Sequence, residues 1–271
     1  MMMYLLRALS NRSADHKAAN IFSGTKEGTS QSPRNESAVA KAEEVKMLLR
    51  LFPIWLTSIV YSVAYAQIGT TFIQQGKAMH TKIRSFSIPP ASLVAFEILC
   101  VILLVLLYDT LVAMMVRKLS LLQRMGIGHF LMILAMAVAA IVEAKRLQSV
   151  NSGKPLSILW QLLQYFVVAA SEVFFYIGQL EFFYDQGPDS MKSLPTSVSL
   201  LTISLGSYLS SLVLTLVSLV TARGGGAGWI SHDLNEGHLD YFFWLLWTLC
   251  LLNFVCYIAC AWKYAVENFI W

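Results

Sequence analysis

The chain has 271 residues, 56% hydrophobic and only 13% charged, with a formal net charge of +4. A soluble domain carries about 25% charged residues, so this composition marks an integral membrane protein. It contains no basic tract that would suggest a nucleic-acid partner, and its four cysteines (Cys100, Cys250, Cys256 and Cys260) lie in apolar runs without metal-ligand spacing.

The opening MMMYLLRALS is too short in its apolar run for a signal peptide, and Arg7 follows that run rather than preceding it. From Ser10 to about Lys41 the chain is rich in Ser, Asn, Lys, Glu and Gly, a composition that reads as disordered or loosely ordered. A membrane span needs about 20 residues, and six candidates follow. The first runs from about Met47 to Gln75, with Pro53 expected in its first turn. The second, Pro90 to Val116, contains Glu97 and Asp109. The third is Gly126 to about Val142, and the fourth begins at Trp160. The fifth, Leu194 to Val220, and the sixth, Tyr241 to Trp262, carry no charge. Residues 1–45 thus read as a polar cytosolic segment, 46–267 as an all-α bundle of six transmembrane helices, and 268–271 as a short tail. An even number of spans puts both termini on one side. The polar N-terminal segment and the Arg117, Lys118, Arg124 cluster place that side in the cytosol. Ser204, Ser207, Ser211, Thr215 and Ser218 share one face of the fifth span, which reads as a close-packing face.

The fourth span, WQLLQYFVVAASEVFFYIGQLEFFY from Trp160 to Tyr184, is the most informative. At 100° per residue, Gln161, Gln164, Tyr165, Val168, Glu172, Tyr176 and Gln179 fall within roughly a third of the circle, and apolar residues fill the rest. A charged group at the depth of Glu172 costs about 2.5 kcal/mol or more without a partner or a wet cavity. Glu172 is therefore either a packing carboxylate bonded to a neighbouring helix or a proton and substrate site, and the second reading is preferred. Burial favours the neutral form of a carboxyl and lets it load and release a proton. Glu97, two turns into its span, is either cavity-lining or interfacial. Glu143 and Glu181 sit at span ends, where solvation is cheap. Tyr61 and Tyr65, one turn apart with Ser58 and Ser62 nearby, either line the same cavity or pack as aromatics. The five histidines (His16, His80, His129, His232 and His238) fall in loops or at span ends. No HExxH, GxSxG, P-loop or CxxC is present, so an enzyme, a catalytic residue, a metal site and a bound cofactor are all disfavoured.

In order along the chain stand LLRLFPIW (48–55), TTFIQQGKAM (70–79), FSIPPASL (86–93), LYD (107–109), LQRMGIG (122–128) and VEAKRL (142–147). They are followed by WQLLQYF (160–166), SEVFFYIGQLEFFYDQGPDSMKSL (171–194), SLGSYLSS (204–211) and GWISHDLNEGHLDYFFWLL (228–246). With these stretches the chain resembles, over about residues 41–267, the C-terminal half of the proton-dependent oligopeptide transporter family, in its plant nitrate/peptide transporter branch. The resemblance implies helices seven to twelve of a major-facilitator fold, with residues 1–45 standing in for the central cytosolic linker. It implies that Glu172 faces the central cavity, binds substrate and couples to protons, with Tyr65, Gln164 and Tyr176 shaping that cavity. The branch's nitrate-handling member has a histidine where this chain has Tyr65, so that histidine's chemistry does not carry over. Leu163 replaces a usual proline of the tenth helix and Pro195 a usual glycine of the eleventh. The ExxER-type motif and the lysine that partners the tenth-helix glutamate belong to the first six helices and are not in these 271 residues.

The expected function is that of a proton-coupled solute symporter truncated to its C-terminal half. The alternative is an inactive or partner-dependent membrane fragment or scaffold. The expected partners are the lipid bilayer, protons, a small solute such as nitrate or a peptide, and another transporter half, in the plasma or vacuolar membrane. The driving force is the proton gradient.

Overall fold

The computed structural model describes residues 33–83, 86–114, 119–186, 194–223, 228–231 and 234–269. Contacts divide the chain into Met1–Glu43 and Glu44–Trp271. Of the first unit only the helical backbone from Pro33 is described, and the bundle below is the second unit. Helix α1 spans Pro33–Tyr65. It begins well before the expected span because AVAKAEEVK is built from strong helix formers. Pro53 therefore lies inside the helix rather than in its first turn.

The first span is not one continuous helix. After Tyr65 the backbone tightens into a 3-10 turn, Ala66–Gly69, and resumes as α2, Thr71–Lys77. Such a break frees backbone carbonyls that lipid cannot satisfy, and side chains take them over. Gln67 Nε2 donates to the Val63 carbonyl at 3.0 Å and to Ser210 Oγ at 2.8 Å, while Thr70 Oγ1 donates to the Ala66 carbonyl at 3.1 Å. Thr71 Oγ1 in turn donates to Gln67 Oε1 at 2.9 Å.

A two-stranded antiparallel ribbon follows, β1 (Lys82–Ile83) against β2 (Phe86–Ser87), with Ile83 opposite Phe86. Helix α3 is Ser92–Met114 and α4 is Leu121–Asn151. The start of α4 is fixed by a capping box between Ser120 and Gln123, five residues ahead of the expected Gly126. Its end is a Schellman turn: Gly153, at φ +67°, donates to the Val150 carbonyl, and Lys154 donates to the Ser149 carbonyl. Helix α5 is Gln161–Gln186, entered through a 3-10 turn at Ile158–Trp160. It runs without interruption through Leu163, which stands half-exposed. Helices α6 (Leu194–Ala222) and α7 (Leu239–Phe269) complete the bundle. Among the described residues five helical stretches are long and apolar enough to cross a membrane, and Ser92–Tyr108 is a shorter apolar helix. The side chains of Asp109 and Pro195 lie outside the described residues.

Helices α4 and α5 form the centre. Gly128 lets them touch: a Cβ there would stand 2.6 Å from the Phe175 Cβ and 2.8 Å from its backbone nitrogen. Helix α6 reaches α1 in the same way, through Gly206 against Ser62. This corrects the expected packing face of α6. Ser204, Ser207, Ser211 and Thr215 are exposed and donate to carbonyls of their own helix. Thr202, Gly206 and Ser210, one turn apart, are the buried row. Spacing alone left two hydroxyl-bearing rows on this helix, and only contact with α1 decides between them.

Three further expectations change. His129 lies well inside α4, buried against Tyr61, Phe175 and Tyr257, with Nδ1 3.0 Å from the Met125 carbonyl; the earlier start of α4 moves it from a span end into the core. Glu143 does not rely on solvent. It is fully buried and held by Arg146, itself fully buried, with Nη2 2.7 Å from Oε1. Glu181 receives Arg124 Nη1 at 3.0 Å.

Candidate transport site

The polar stripe of α5 points into the bundle. Gln161, Gln164, Tyr165, Val168 and Gln179 are fully buried, Glu172 and Tyr176 half-buried, while Leu163 and Phe166 on the far side are exposed. The 3.6-residue period of a helix, held over about five turns from Gln161 to Gln179, gives this segregation.

Glu172 stands near the middle of α5 and meets two other elements. Its carboxyl faces Tyr65, at the end of α1, and Glu97 on α3. Tyr65 and Tyr176 meet edge to face at 5.4 Å between ring centroids. Tyr61, one turn before Tyr65, is fully buried and stacks on Phe175 at 3.6 Å. Its hydroxyl lies 2.8 Å from Ser171 Oγ, which is itself 2.7 Å from the Gly128 carbonyl. The single serine proton goes to that carbonyl, so the phenol is the donor to the serine. Of the two tyrosines, Tyr61 is thus a core residue and Tyr65 faces the carboxyl. Ser58 and Ser62 donate to carbonyls of α1 itself.

Gln164 belongs to a different polar cluster. Its Nε2 donates to Gln75 Oε1 at 2.9 Å, and Gln161 Nε2 donates to the same oxygen at 2.8 Å and to the Phe72 carbonyl at 2.9 Å. Eight residues of helix separate Gln164 from Glu172, about 12 Å along the axis. The structure therefore brings together Glu172, Tyr65 and Tyr176, and sets Gln164 apart as a tie between α5 and α2.

Glu97 is the residue whose place the sequence leaves open. It is 4% exposed, so it lies inside the bundle and not at an interface with solvent. Glu172 Oε2 and Glu97 Oε1 are both buried without a hydrogen-bond partner among the described residues, as is the Tyr165 hydroxyl. The visible signal was a carboxylate two turns into an apolar span. What the sequence did not contain is that α3 packs on α5 at that level.

Comparison with known proteins gives a consistent answer. The model of the POT family matches residues 8–230. The chain is similar to Protein NRT1/PTR FAMILY 8.3 of Arabidopsis thaliana, 52% identical over 241 residues, a match that covers 83% of this chain and 41% of the relative. Protein NRT1/PTR FAMILY 8.5 of the same plant is 49% identical over 251 residues, covering 90% of this chain and 42% of the relative. The chain thus spans about two fifths of the length of these curated relatives. Its backbone matches a crystal structure of an auto-inhibited POT family peptide transporter with TM-score 0.65 and 24% identity, over 82% of this chain and 41% of that one. A POT family transporter in complex with 5-aminolevulinic acid matches with TM-score 0.64 and 14% identity, over 82% and 42%. At these identities the two structures speak to fold alone.

Proposed function

The chain belongs to the POT family of membrane transporters, and we propose that it is the C-terminal bundle of a proton-coupled solute symporter. In this reading Glu172 takes up and releases a proton and contacts the solute. Tyr65 and Tyr176 shape the face around it, and Gln164 acts from a distance by holding α2 against α5. The observation that carries the reading is a carboxyl at mid-depth of a membrane-length helix, set against Tyr65 and Glu97, with one oxygen that no described residue satisfies. An isolated carboxyl there is costly, and a proton or a solute is what would complete its partners.

The termini lie in the cytosol in this reading, the proton gradient supplies the drive, and no bound cofactor is needed. Alternating access in secondary transporters rocks two bundles about a shared midplane site, so the reading includes a second, N-terminal bundle as partner. Solved POT relatives are described in complex with alafosfalin and with 5-aminolevulinic acid. A small polar solute of peptide-like chemistry suits a wall with two carboxyls. Nitrate suits it less, because like charges repel and Tyr65 stands where a nitrate-handling relative has histidine.

The test is uptake of a dipeptide and of nitrate, at acid and neutral external pH. The chain is expressed by itself and together with the six-helix N-terminal half of NRT1/PTR FAMILY 8.3. Acid-stimulated dipeptide uptake that Glu172→Gln abolishes supports the symporter. Uptake only with the added half supports the partner-dependent form. A scaffold is indicated, and the symporter reading overturned, by surface-expressed protein that takes up neither solute in either setting.

A further inference from the structure

We propose that the groove between the start of α4 and the end of α7 is a binding site for one acyl chain of a phospholipid. The two helices enclose a cavity of about 660 Å³, lined by Gly126, Ile127 and Phe130 on one side and by Ile258, Ala261 and Trp262 on the other. Its floor is fixed. The Tyr257 hydroxyl donates to the Leu122 carbonyl at 2.6 Å, and the ring stacks on His129 with centroids 4.4 Å apart. Gly126 has no side chain to fill the trough, and a Cβ added there would meet only the Tyr257 ring, at 3.5 Å. The rim is apolar: Phe130 and Ile258 are half-exposed and Trp262 is 72% exposed. Both helices are long and apolar enough to cross a membrane, so what meets this rim is hydrocarbon.

The groove lies apart from the face that carries Glu172. At 100° per residue, Gln123, Gly126 and Phe130 stand on the opposite side of α4 from Met125 and Gly128, which approach α5 at Gly178 and Phe175. A second bundle that meets Glu172, Tyr65 and Tyr176 in the proposed reading would approach from the α5 side of α4, away from the groove.

Length and polarity choose the occupant. At 1.5 Å per residue, residues 120–130 cover about 15 Å and residues 254–265 about 16 Å of helix axis. One leaflet is half of a hydrocarbon core roughly 30 Å thick, about 15 Å. The groove therefore has the length of one acyl chain's depth in a single leaflet. Phe130 and Phe254 stand at its deep end, with ring centroids 6.3 Å apart. Its outer end is polar. Ser120 Oγ accepts from the Gln123 backbone at 3.3 Å, and Gln123 Oε1 accepts from the Ser120 backbone at 3.0 Å. With those oxygens engaged in the cap, the serine hydroxyl and the glutamine amide are left to donate. Trp262 suits the interfacial level, and Lys263, exposed and next in sequence, supplies a cation there. Donors and a positive charge match the phosphate and ester oxygens of a phospholipid. A sterol would bring a single hydroxyl and no charge.

The experiment is photolabelling of the full chain in detergent, with a phospholipid that carries a photoreactive group on one acyl chain. Labelled peptides are read by mass spectrometry as the probe is titrated. Labelling of residues 120–130 and 254–265 is expected to saturate. Labelling of the exposed Leu212, Leu216 and Leu219 on α6 is expected to rise linearly, as for lipid without a site. Gly126→Leu and Ala261→Leu, which fill the trough, are each expected to lower groove labelling severalfold without changing α6 labelling or the melting midpoint. Co-expression with the N-terminal half of NRT1/PTR FAMILY 8.3 is expected to leave groove labelling unchanged. Linear labelling of the groove overturns the proposal, as does labelling that neither variant lowers. So does displacement of the probe by less sterol than phospholipid, protection by the added half, or a cross-linked dimer joined through α4 and α7 in place of labelling. Should one variant not fold, the other and the wild-type titration decide alone. No arm reads transport, so failure here leaves the symporter reading as it stands.

Discussion

Arg146→Ala is the most demanding test of how this bundle is held together. The guanidinium is fully buried and spends its donors on three groups. Nε lies 3.0 Å from both oxygens of Glu143, and Nη2 2.7 Å from Oε1. Nη1 donates to Asn235 Oδ1 at 2.7 Å and Nη2 to the Leu234 carbonyl at 2.8 Å. Truncation leaves a fully buried carboxylate facing a void, a loss of about 3–5 kcal/mol where exposed pairs are worth about 0–1 kcal/mol. For a bundle of this size each kcal/mol moves the melting midpoint by about 2–4 °C, so the shift is on the order of 10 °C. The assay is thermal unfolding of the purified protein in detergent. A double variant, Glu143→Leu with Arg146→Leu, separates the charge from the contact. It removes both ions together, and exposed Asn235 can turn to water, so most of the stability returns. Hydrogen exchange adds a local readout, because the backbone at 234–239 loses its tie to α4 in either variant. A shift under about 3 °C for Arg146→Ala, or a double variant as damaged as the sum of its parts, would refute this account.

Gly128→Ala is expected to cost about 1–3 kcal/mol, since its Cβ would run into the backbone of Phe175. Gly69→Ala, with nothing within 4 Å of the added methyl, serves as the neutral control in the same thermal assay. Tyr61→Phe leaves the Ser171–Gly128 bond in place and removes only the phenol's donation, so a loss of about 1 kcal/mol is expected by chemical or thermal unfolding. Gln67→Leu strips the Val63 carbonyl and Ser210 of their donor at the break between α1 and α2. Faster amide exchange at residues 63–71, with the rest of the bundle unchanged, is the outcome to look for.

That the chain is built of membrane-length apolar helices was legible because hydropathy and length alone set it. The α5 stripe was legible because a single polar arc on an apolar cylinder admits one orientation. Helix ends were less so, since α1 and α4 extend by propensity and capping into segments whose polarity read as loop. Glu97 and His129 were misjudged or left open for one shared reason: their surroundings are supplied by other helices. Nothing within the second span says that Cys100, Val101 and Tyr108 pack on Ala169 and Val173, yet that contact is what carries Glu97 to Glu172. The glutamine ties of Gln75, Gln161 and Gln164 are the same kind of fact, visible as residue types and invisible as partners.

The distribution of satisfied and unsatisfied charge along the bundle carries the functional argument one step further. Towards the Asn151 end of α4, Glu143 is fully matched by Arg146 and that arginine by a loop. Towards the Leu121 end, Arg124 meets Glu181 and Tyr108, Tyr257 donates to the Leu122 carbonyl at 2.6 Å, and Tyr264 to Gln186 at 2.6 Å. Between these two levels lie Glu97 and Glu172, each with an oxygen that no described residue satisfies. In the proposed reading, ion pairs towards the two ends hold the helices, while Glu172 at mid-depth answers to a proton or solute. Disturbing either end is then expected to alter stability first, and disturbing Glu172 to alter proton response first.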